Sequence, residues 1–453
     1  MTNLIETSGL SVNALYRQLL ERGIRYFLPK SRLEIVGSVD LTRPVLTWQG
    51  QQDATLEFEW LGFRYAFSNQ GLPLTENETK LLQSIGHVLS TRYRILFNAN
   101  LAAQDFQLFR GLPEDRYISA FLDPSPFSNV EPAAEVHDRV AEAIEVLRVS
   151  SLTTYENRRI ATGALLFGSH PDPCHTLPSL PSGALPYSSA LTSIRSFHRL
   201  CDALQTVALV DRDGSLLELV DVQEWARPLA DVELPVPSPA RYQAHSRATL
   251  CGGHICLILT PNGEIKIFAE GAQVVSFLGG RWQLTDAVEK YRVWKEAVGE
   301  ARLAERLFAV ALNLAEDRRG GLFIVLNDAT MAEQLVAASD LLGTEASRAE
   351  GTPEVAKNHL HYLLRGQRAL DLAPAVLETV ARIDGAIVLD GESNLLSFGA
   401  ILRSPMTIDP FQPAVEGGRT TAAIVASEFG KVLKISEDGF VSFFQDGQCI
   451  WQI

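Results

Sequence analysis

The chain has 453 residues, 46% of them hydrophobic and 21% charged, which is ordinary for a globular protein and long enough for two or three domains with real cores. A net charge of −14 argues against an extended nucleic-acid surface, which needs clustered Lys and Arg, but leaves room for a small basic pocket that takes a nucleotide. No apolar run approaches the ~18 residues that span a bilayer, the opening MTNLIETSGL lacks the parts of a signal peptide, and five scattered cysteines suit a reducing compartment. The expected location is cytoplasmic, with no membrane and no nucleic acid as direct partner.

In chain order, the first block is expected over residues 1–125. Ser11 to Arg22 has helical periodicity behind a serine start, and Ala54 to Ser68 alternates as strands do. Thr75, with Glu78 three residues on, forms a capping-box pattern that opens a helix. A Pro-rich stretch from Asp123 to Pro132 reads as a linker. Two further blocks, 133–283 and 290–453, read as copies of one another. Each opens on an amphipathic helix, Ala133 to Arg148 in one and within Ala297 to Glu316 in the other. Each continues with a Gly-led apolar strand, Gly163 to Phe167 and Gly321 to Leu326. Next comes a strand pair, from Thr206 and from Asp384, and then a hairpin-like pair, from His245 and from Arg419. Asn262-Gly263 and Asp438-Gly439 mark tight turns between alternating runs. Arg227 to Pro239 and Gly343 to Pro353 read as surface loops. The expected class is α/β, two tandem mixed-sheet lobes behind an N-terminal α+β domain.

The densest motifs lie between Ile383 and Phe444: Asp384-Gly385-Ala386, then Gly417-Gly418-Arg419-Thr420-Thr421-Ala422-Ala423, then Ser427-Glu428. This set resembles the diadenylate cyclase domain, the nucleotide-binding domain of bacterial DNA-integrity-scanning proteins, over about 150 residues from Ala297 to Ile453. The family carries Asp-Gly-Ala, Arg-His-Arg-Ala-Ala and Ser-Glu; here Arg419-Thr420-Thr421 replaces Arg-His-Arg. The resemblance implies a diadenylate-cyclase-like fold that joins two ATP molecules with Mg²⁺ or Mn²⁺. It makes Asp384 and Glu428 the catalytic and metal-binding carboxylates, hard-oxygen ligands suited to such cations. Gly385, Ala386, Gly417, Gly418, Arg419, Thr420, Thr421 and Ser427 would line the nucleotide, with glycine backbone close to phosphate and the Arg419 fork on its oxygens.

Two threonines cannot replace the lost His and Arg, and charge-assisted contacts of about 1.5–3 kcal/mol each go with them. By the repeat, Gln205-Thr206-Val207 stands where Asp384-Gly385-Ala386 does, and His245 and Arg247 are the first lobe's contribution to a composite site. Such pairing of lobes within one chain, or a homo-oligomer, would bring two nucleotides face to face. The first two blocks also resemble the sensor regions found upstream of such cyclases, through Pro113 to Ala120 and the stretch from His175.

Other clusters read blandly. His170, Asp172, Cys174 and His175 sit in a Pro-rich loop with no second ligand pair, so they read as loop residues. In Cys251-x-x-His254-x-Cys256, His254 and Cys256 alternate on a strand and read as core. His198 and Cys201 share a helix face, which reads as packing. The leading expectation is therefore a cyclase making cyclic di-AMP or a related dinucleotide under N-terminal control. The alternative is a nucleotide or cyclic-dinucleotide sensor without turnover, and a third is a scaffold that has lost the pocket.

Overall fold

The computed structural model describes residues 12–29, 31–39, 47–52, 55–68, 74–96, 110–128, 137–194, 196–342, 357–403 and 417–453. The expected loop over Gly343 to Pro353 lies outside them. Contacts divide the chain into two compact units, residues 1–233 with 244–286, and residues 234–243 with 287–453. The described residues of the first block and those of the first lobe fall in one unit.

In the first unit, α1 (Val12–Phe27) is followed by β1 (Arg32–Ser38), β2 (Thr47–Gln52), β3 (Thr55–Trp60) and β4 (Phe63–Ser68), an antiparallel sheet in the order β1-β4-β3-β2. Alternation sends Leu56, Phe58 and Trp60 inward from β3. The capping box opens α2 (Glu76–Leu96): Glu78 N–H donates to Thr75 Oγ1 at 3.1 Å and Thr75 N–H to Glu78 Oε2 at 3.0 Å. Then come α3 (Pro113–Leu122), the short α4 (Ser125–Ser128) inside the expected linker, and α5 (Arg139–Ser151), begun by Asp138 accepting from Ala141 N. A small hairpin, β5 (Thr154–Tyr155) and β6 (Arg158–Arg159), precedes the first lobe. Leu20, Ile85, Phe121, Ile144, Leu166, Leu257 and Trp282 belong to one buried cluster, so the N-terminal sheet, its helices and the first lobe share a core.

The first lobe holds β7 (Thr162–Leu166), α6 (Phe197–Leu200), β8 (Thr206–Val210), β9 (Leu216–Asp221), α7 (Val222–Ala226) and α8 (Gln243–Arg247). It continues with β10 (Ile255–Leu259), β11 (Ile265–Ala269), β12 (Ala272–Leu278) and β13 (Arg281–Leu284). Its seven-stranded sheet runs β13-β12-β11-β10-β7-β8-β9, with β7 and β8 parallel and every other neighbour antiparallel.

The second unit opens on α9 (Ala287–Val298) and α10 (Ala301–Glu316). α10 falls within the expected Ala297–Glu316 span; Gly299 at φ +80° ends α9, and Glu300 starts α10 as an N-cap accepting from Arg302 N and Leu303 N. After these come β14 (Gly321–Leu326), α11 (Ala332–Leu335), α12 (Pro374–Ala381), β15 (Ala386–Leu389), β16 (Leu395–Ala400), α13 (Gly418–Ala426), β17 (Gly430–Ile435), β18 (Val441–Gln445) and β19 (Gln448–Gln452). The sheet order is β16-β15-β14-β17-β18-β19, with β14 and β15 parallel and the rest antiparallel. Both parallel strands are buried throughout, as a sheet covered on two faces requires. On the α13 face, Leu322, Ile324, Leu326, Val388 and Val432 pack with Ala423 and Ala426.

The two lobes repeat one topology, six strands in the same order with the single parallel pair in the same place, and β13 as an extra edge strand in the first. The turn after each second strand repeats too. Asp211 Oδ1 accepts from the N–H groups of Asp213 and Ser215, and Asp390 Oδ1 from those of Glu392 and Asn394. The architecture is thus mixed α/β with a duplicated mixed sheet.

Candidate functional site

In the second lobe, α13 begins at Gly417, an N-cap at φ +91°. Its first turn places Arg419 beside Asp384, with Nη2 to Oδ1 at 3.6 Å, and beside Glu437, with Nη1 to Oε1 at 2.8 Å. The guanidinium lies against Gly320, where an added Cβ would stand 2.5 Å from Arg419 Cζ. Lys434 donates from Nζ to Thr420 Oγ1 at 3.0 Å, so one lysine joins the threonine that stands in the motif's second position. Thr421 is half-buried on the same turn, while Gly417, Gly418 and Arg419 are exposed. Asp384 is 96% exposed, and the ion pairs around Arg419 are surface pairs worth about 0–1 kcal/mol each.

Gly385 serves the backbone. It adopts φ +115°, and a Cβ there would meet the carbonyl carbon of Gly399 on β16 at 2.3 Å. Ala386 is buried as the first residue of β15.

Ser427 and Glu428 lie elsewhere. Ala386 pairs with Leu322 near the start of β14, whereas Gly430 pairs with Leu326 at its end. Asp384 and Glu428, each two residues before those partners, therefore stand off opposite ends of β14, whose paired residues Leu322 and Leu326 are themselves about 13 Å apart at ~3.3 Å per residue. Within this unit the two carboxylates do not fit one Mg²⁺ or Mn²⁺, whose oxygen ligands sit at ~2.0–2.2 Å. Ser427 is buried and its hydroxyl is committed: it donates to Ile424 O at 2.7 Å and accepts from Gly447 N at 3.0 Å, tying the helix end to the β18–β19 turn.

The first-lobe residues expected to join a composite site are inside α8 and its surroundings. His245 is fully buried, with Nε2 2.7 Å from Ala203 O, and burial lowers its pKa. Arg247 is half-buried on the same helix.

Sequence reasoning dismissed two clusters separately, and the fold brings them together. The loop leaving β7 carries Asp172 and His175, and the strand start after Cys251 carries His254; β7 and β10 are hydrogen-bonded neighbours. Asp172 Oδ2 is 2.7 Å from His254 Nε2 and 2.9 Å from His175 Nδ1, and all three ligand atoms lie within 4.8 Å of one another. The side chains of Asp172 and His254 are 2% and 1% exposed. Asp172 Oδ1 accepts from Cys174 N at 2.8 Å, and His175 Nε2 stands 2.9 Å from Trp225 O with its ring stacked on the indole at 4.1 Å. Burial alone would raise the Asp172 carboxyl, but the Cys174 amide and the two imidazoles outweigh it and hold it at about 2. Burial lowers His254, against the pull of Asp172. Gly168 N–H donates to His254 Nδ1 at 2.9 Å, which places the proton of the neutral ring on Nε2, facing Asp172. The signal missed in the sequence was the pairing of two half-motifs some eighty residues apart. The carboxylate–diimidazole cluster is capable of holding one divalent cation.

No protein-family model matches the chain, and no curated protein does. Among solved structures, a double mutant of DacA from Staphylococcus aureus is 15% identical with a TM-score of 0.21, the likeness covering 35% of this chain and 87% of that one. A hypothetical membrane-spanning protein from Bacillus cereus is 18% identical with a TM-score of 0.23, over 37% of this chain and 77% of that one. Both likenesses are weak and partial, at most a distant fold relationship. Among the described residues no helix is long and apolar enough to cross a membrane.

Proposed function

We propose that the protein is a nucleotide-binding regulator whose second lobe takes the phosphates of ATP or a cyclic dinucleotide at the start of α13 and does not turn the nucleotide over. The observation that carries this reading is the separation of Asp384 from Glu428 by the length of β14, while Asp384, Arg419, Thr420 and Lys434 gather at one end. Arg419 and Lys434 supply two cations, Thr420 a hydroxyl, and the helix start its partial positive charge. Arg419 is held by exposed carboxylates through weak pairs, whereas a charge-assisted contact to phosphate contributes about 1.5–3 kcal/mol. Exchange of Glu437 for phosphate is therefore favourable. The adenine preference rests on the motif resemblance alone.

The test is calorimetric titration with ATP and with cyclic di-AMP, alongside incubation with labelled ATP and Mn²⁺ or Mg²⁺. Binding without product, weakened 10-fold or more by Arg419→Ala, supports a regulator. A cyclic product that vanishes in Asp384→Ala would overturn it in favour of a cyclase. Absence of binding by both nucleotides would leave a scaffold.

A further inference from the structure

We infer that Asp172, His175 and His254 form a binding site for a transition-metal cation of the zinc class in the first lobe. The inference is independent of the nucleotide reading, which concerns the other unit.

The donor set decides the class of ion. One carboxylate oxygen and two imidazole nitrogens suit zinc and its neighbours, while Mg²⁺ and Ca²⁺ take oxygen sets. Two of the three ligands already have the outer contacts that a metal ligand needs. His175 offers Nδ1 to the cluster and directs Nε2 at the backbone carbonyl of Trp225, the partner that fixes a ligating ring in orientation and tautomer. Asp172 is oriented by the Cys174 amide on Oδ1, which leaves Oδ2 for the ion. The third ligand requires a change. Gly168 N–H now donates to His254 Nδ1, and ligation through Nε2 moves the ring proton to Nδ1 and breaks that bond. One neutral hydrogen bond is given up against three metal–ligand bonds.

Asp172 Oδ2 lies 2.7 Å from His254 Nε2 and 2.9 Å from His175 Nδ1, so the three ligand atoms already face one another. A tetrahedral zinc with bonds of ~2.0–2.1 Å needs its ligand atoms about 3.3 Å apart. The atoms lie within 4.8 Å of one another, so binding asks each side chain to shift by about an ångström or less. The cradle is shaped for rings. Gly252 adopts φ +69°, and a Cβ there would stand 2.7 Å from His254 Nε2 and 3.1 Å from Asp172 Cβ. Three protein ligands leave a fourth position for water or another donor, and the ion would pin the loop after β7 to the start of β10.

The experiment uses the full chain, stripped with a chelator and reloaded with Zn²⁺, Co²⁺ or Mg²⁺. The expected results are one tightly held Zn²⁺ per chain, visible d–d absorption of four-coordinate Co²⁺, and a raised melting temperature with Zn²⁺ but not Mg²⁺. His175→Gln, at the cluster's most exposed ring, should fold and lose zinc affinity at least 10-fold, as should Asp172→Asn. The double variant Cys174→Ser with Cys251→Ser should keep the ion. Failure of the folded wild-type chain to hold zinc, a melting shift produced by Mg²⁺ alone, or zinc lost through the cysteine variant and kept through His175→Gln would each overturn the assignment. The wild-type metal count decides even where a variant fails to fold.

Discussion

Gly385→Ala separates a backbone role for the Asp-Gly-Ala turn from a phosphate role. The residue holds φ +115°, and the added methyl would lie 2.3 Å from Gly399 C, 2.6 Å from Gly399 O and 2.7 Å from Ala400 N. All three are backbone atoms of β16, so no side chain can swing away. A residue held in such a region costs about 1–3 kcal/mol by itself. Relief of the overlap must part β15 from β16, an antiparallel pair that carries buried Val388 and Phe398. A total of about 3 kcal/mol or more is expected, with the melting temperature of the second unit down by roughly 6–12 °C at 2–4 °C per kcal/mol. The control is Gly418→Ala, where a Cβ meets nothing within 4 Å. Alanine there favours the helix and should leave stability unchanged or up to about 1 kcal/mol higher. The assay is thermal and urea unfolding of both variants, with nucleotide titration on each that folds. A Gly385→Ala protein within about 0.5 kcal/mol of wild type but unable to bind nucleotide would refute the backbone account.

Other changes have equally direct readouts. Thr75→Ala removes one half of the reciprocal bonds with Glu78 and should cost about 1 kcal/mol of first-unit stability; calorimetry showing no loss would mean the cap is idle. Arg419→Ala breaks only exposed ion pairs, so its melting temperature should stay within about 2 °C of wild type while nucleotide affinity falls. His245 has its folded pKa lowered by burial, so the unfolded chain takes up a proton first as pH falls. Its contribution to stability is intact above the unfolded value of about 6.5 and declines below it, toward the lower folded value. Urea midpoints measured from pH 7.5 to 5.5 should fall less steeply in His245→Gln, whose amide can still donate to Ala203 O.

The sequence exposed what is local. The Thr75–Glu78 cap, the buried run Gly321–Leu326 and the Asn262-Gly263 and Asp438-Gly439 turns depend on neighbours within a few residues, and all four are in the fold. The duplicated lobe was also legible, because two copies of one strand order repeat their apolar spacing. α10 lies within the stretch Ala297–Glu316 that its apolar periodicity marks, and a positive φ at Gly299 separates it from α9. Site geometry was harder. Motif spacing along the chain does not say at which end of a strand a residue falls, and strand pairing alone separates Asp384 from Glu428.

Register between the lobes carries the comparison one step further. The repeated Asp211 and Asp390 turns make Val210 equivalent to Leu389; their parallel partners are Leu166 and Val325. The antiparallel partners of those residues are Ile255 and Lys431. Counting back along each strand puts Val207 at the place of Ala386, as the repeat in the sequence had it. It also sets Gly252 against Glu428 and His254 against Gly430. Each lobe thus concentrates polar groups at a different end of the same sheet. The second gathers Asp384, Arg419 and Lys434 where β14 begins, and the first gathers Asp172, His175 and His254 where β7 ends. Gly430 shows why the exchange is not simply reversible. A Cβ there would lie 2.3 Å from Val325 O, so the second lobe has no room for a histidine at that position without parting β14 from β17. Gly430→His should therefore unfold or loosen the second lobe and create no metal affinity. A zinc-binding, fully folded Gly430→His chain would show that the two lobes are less different than their registers imply.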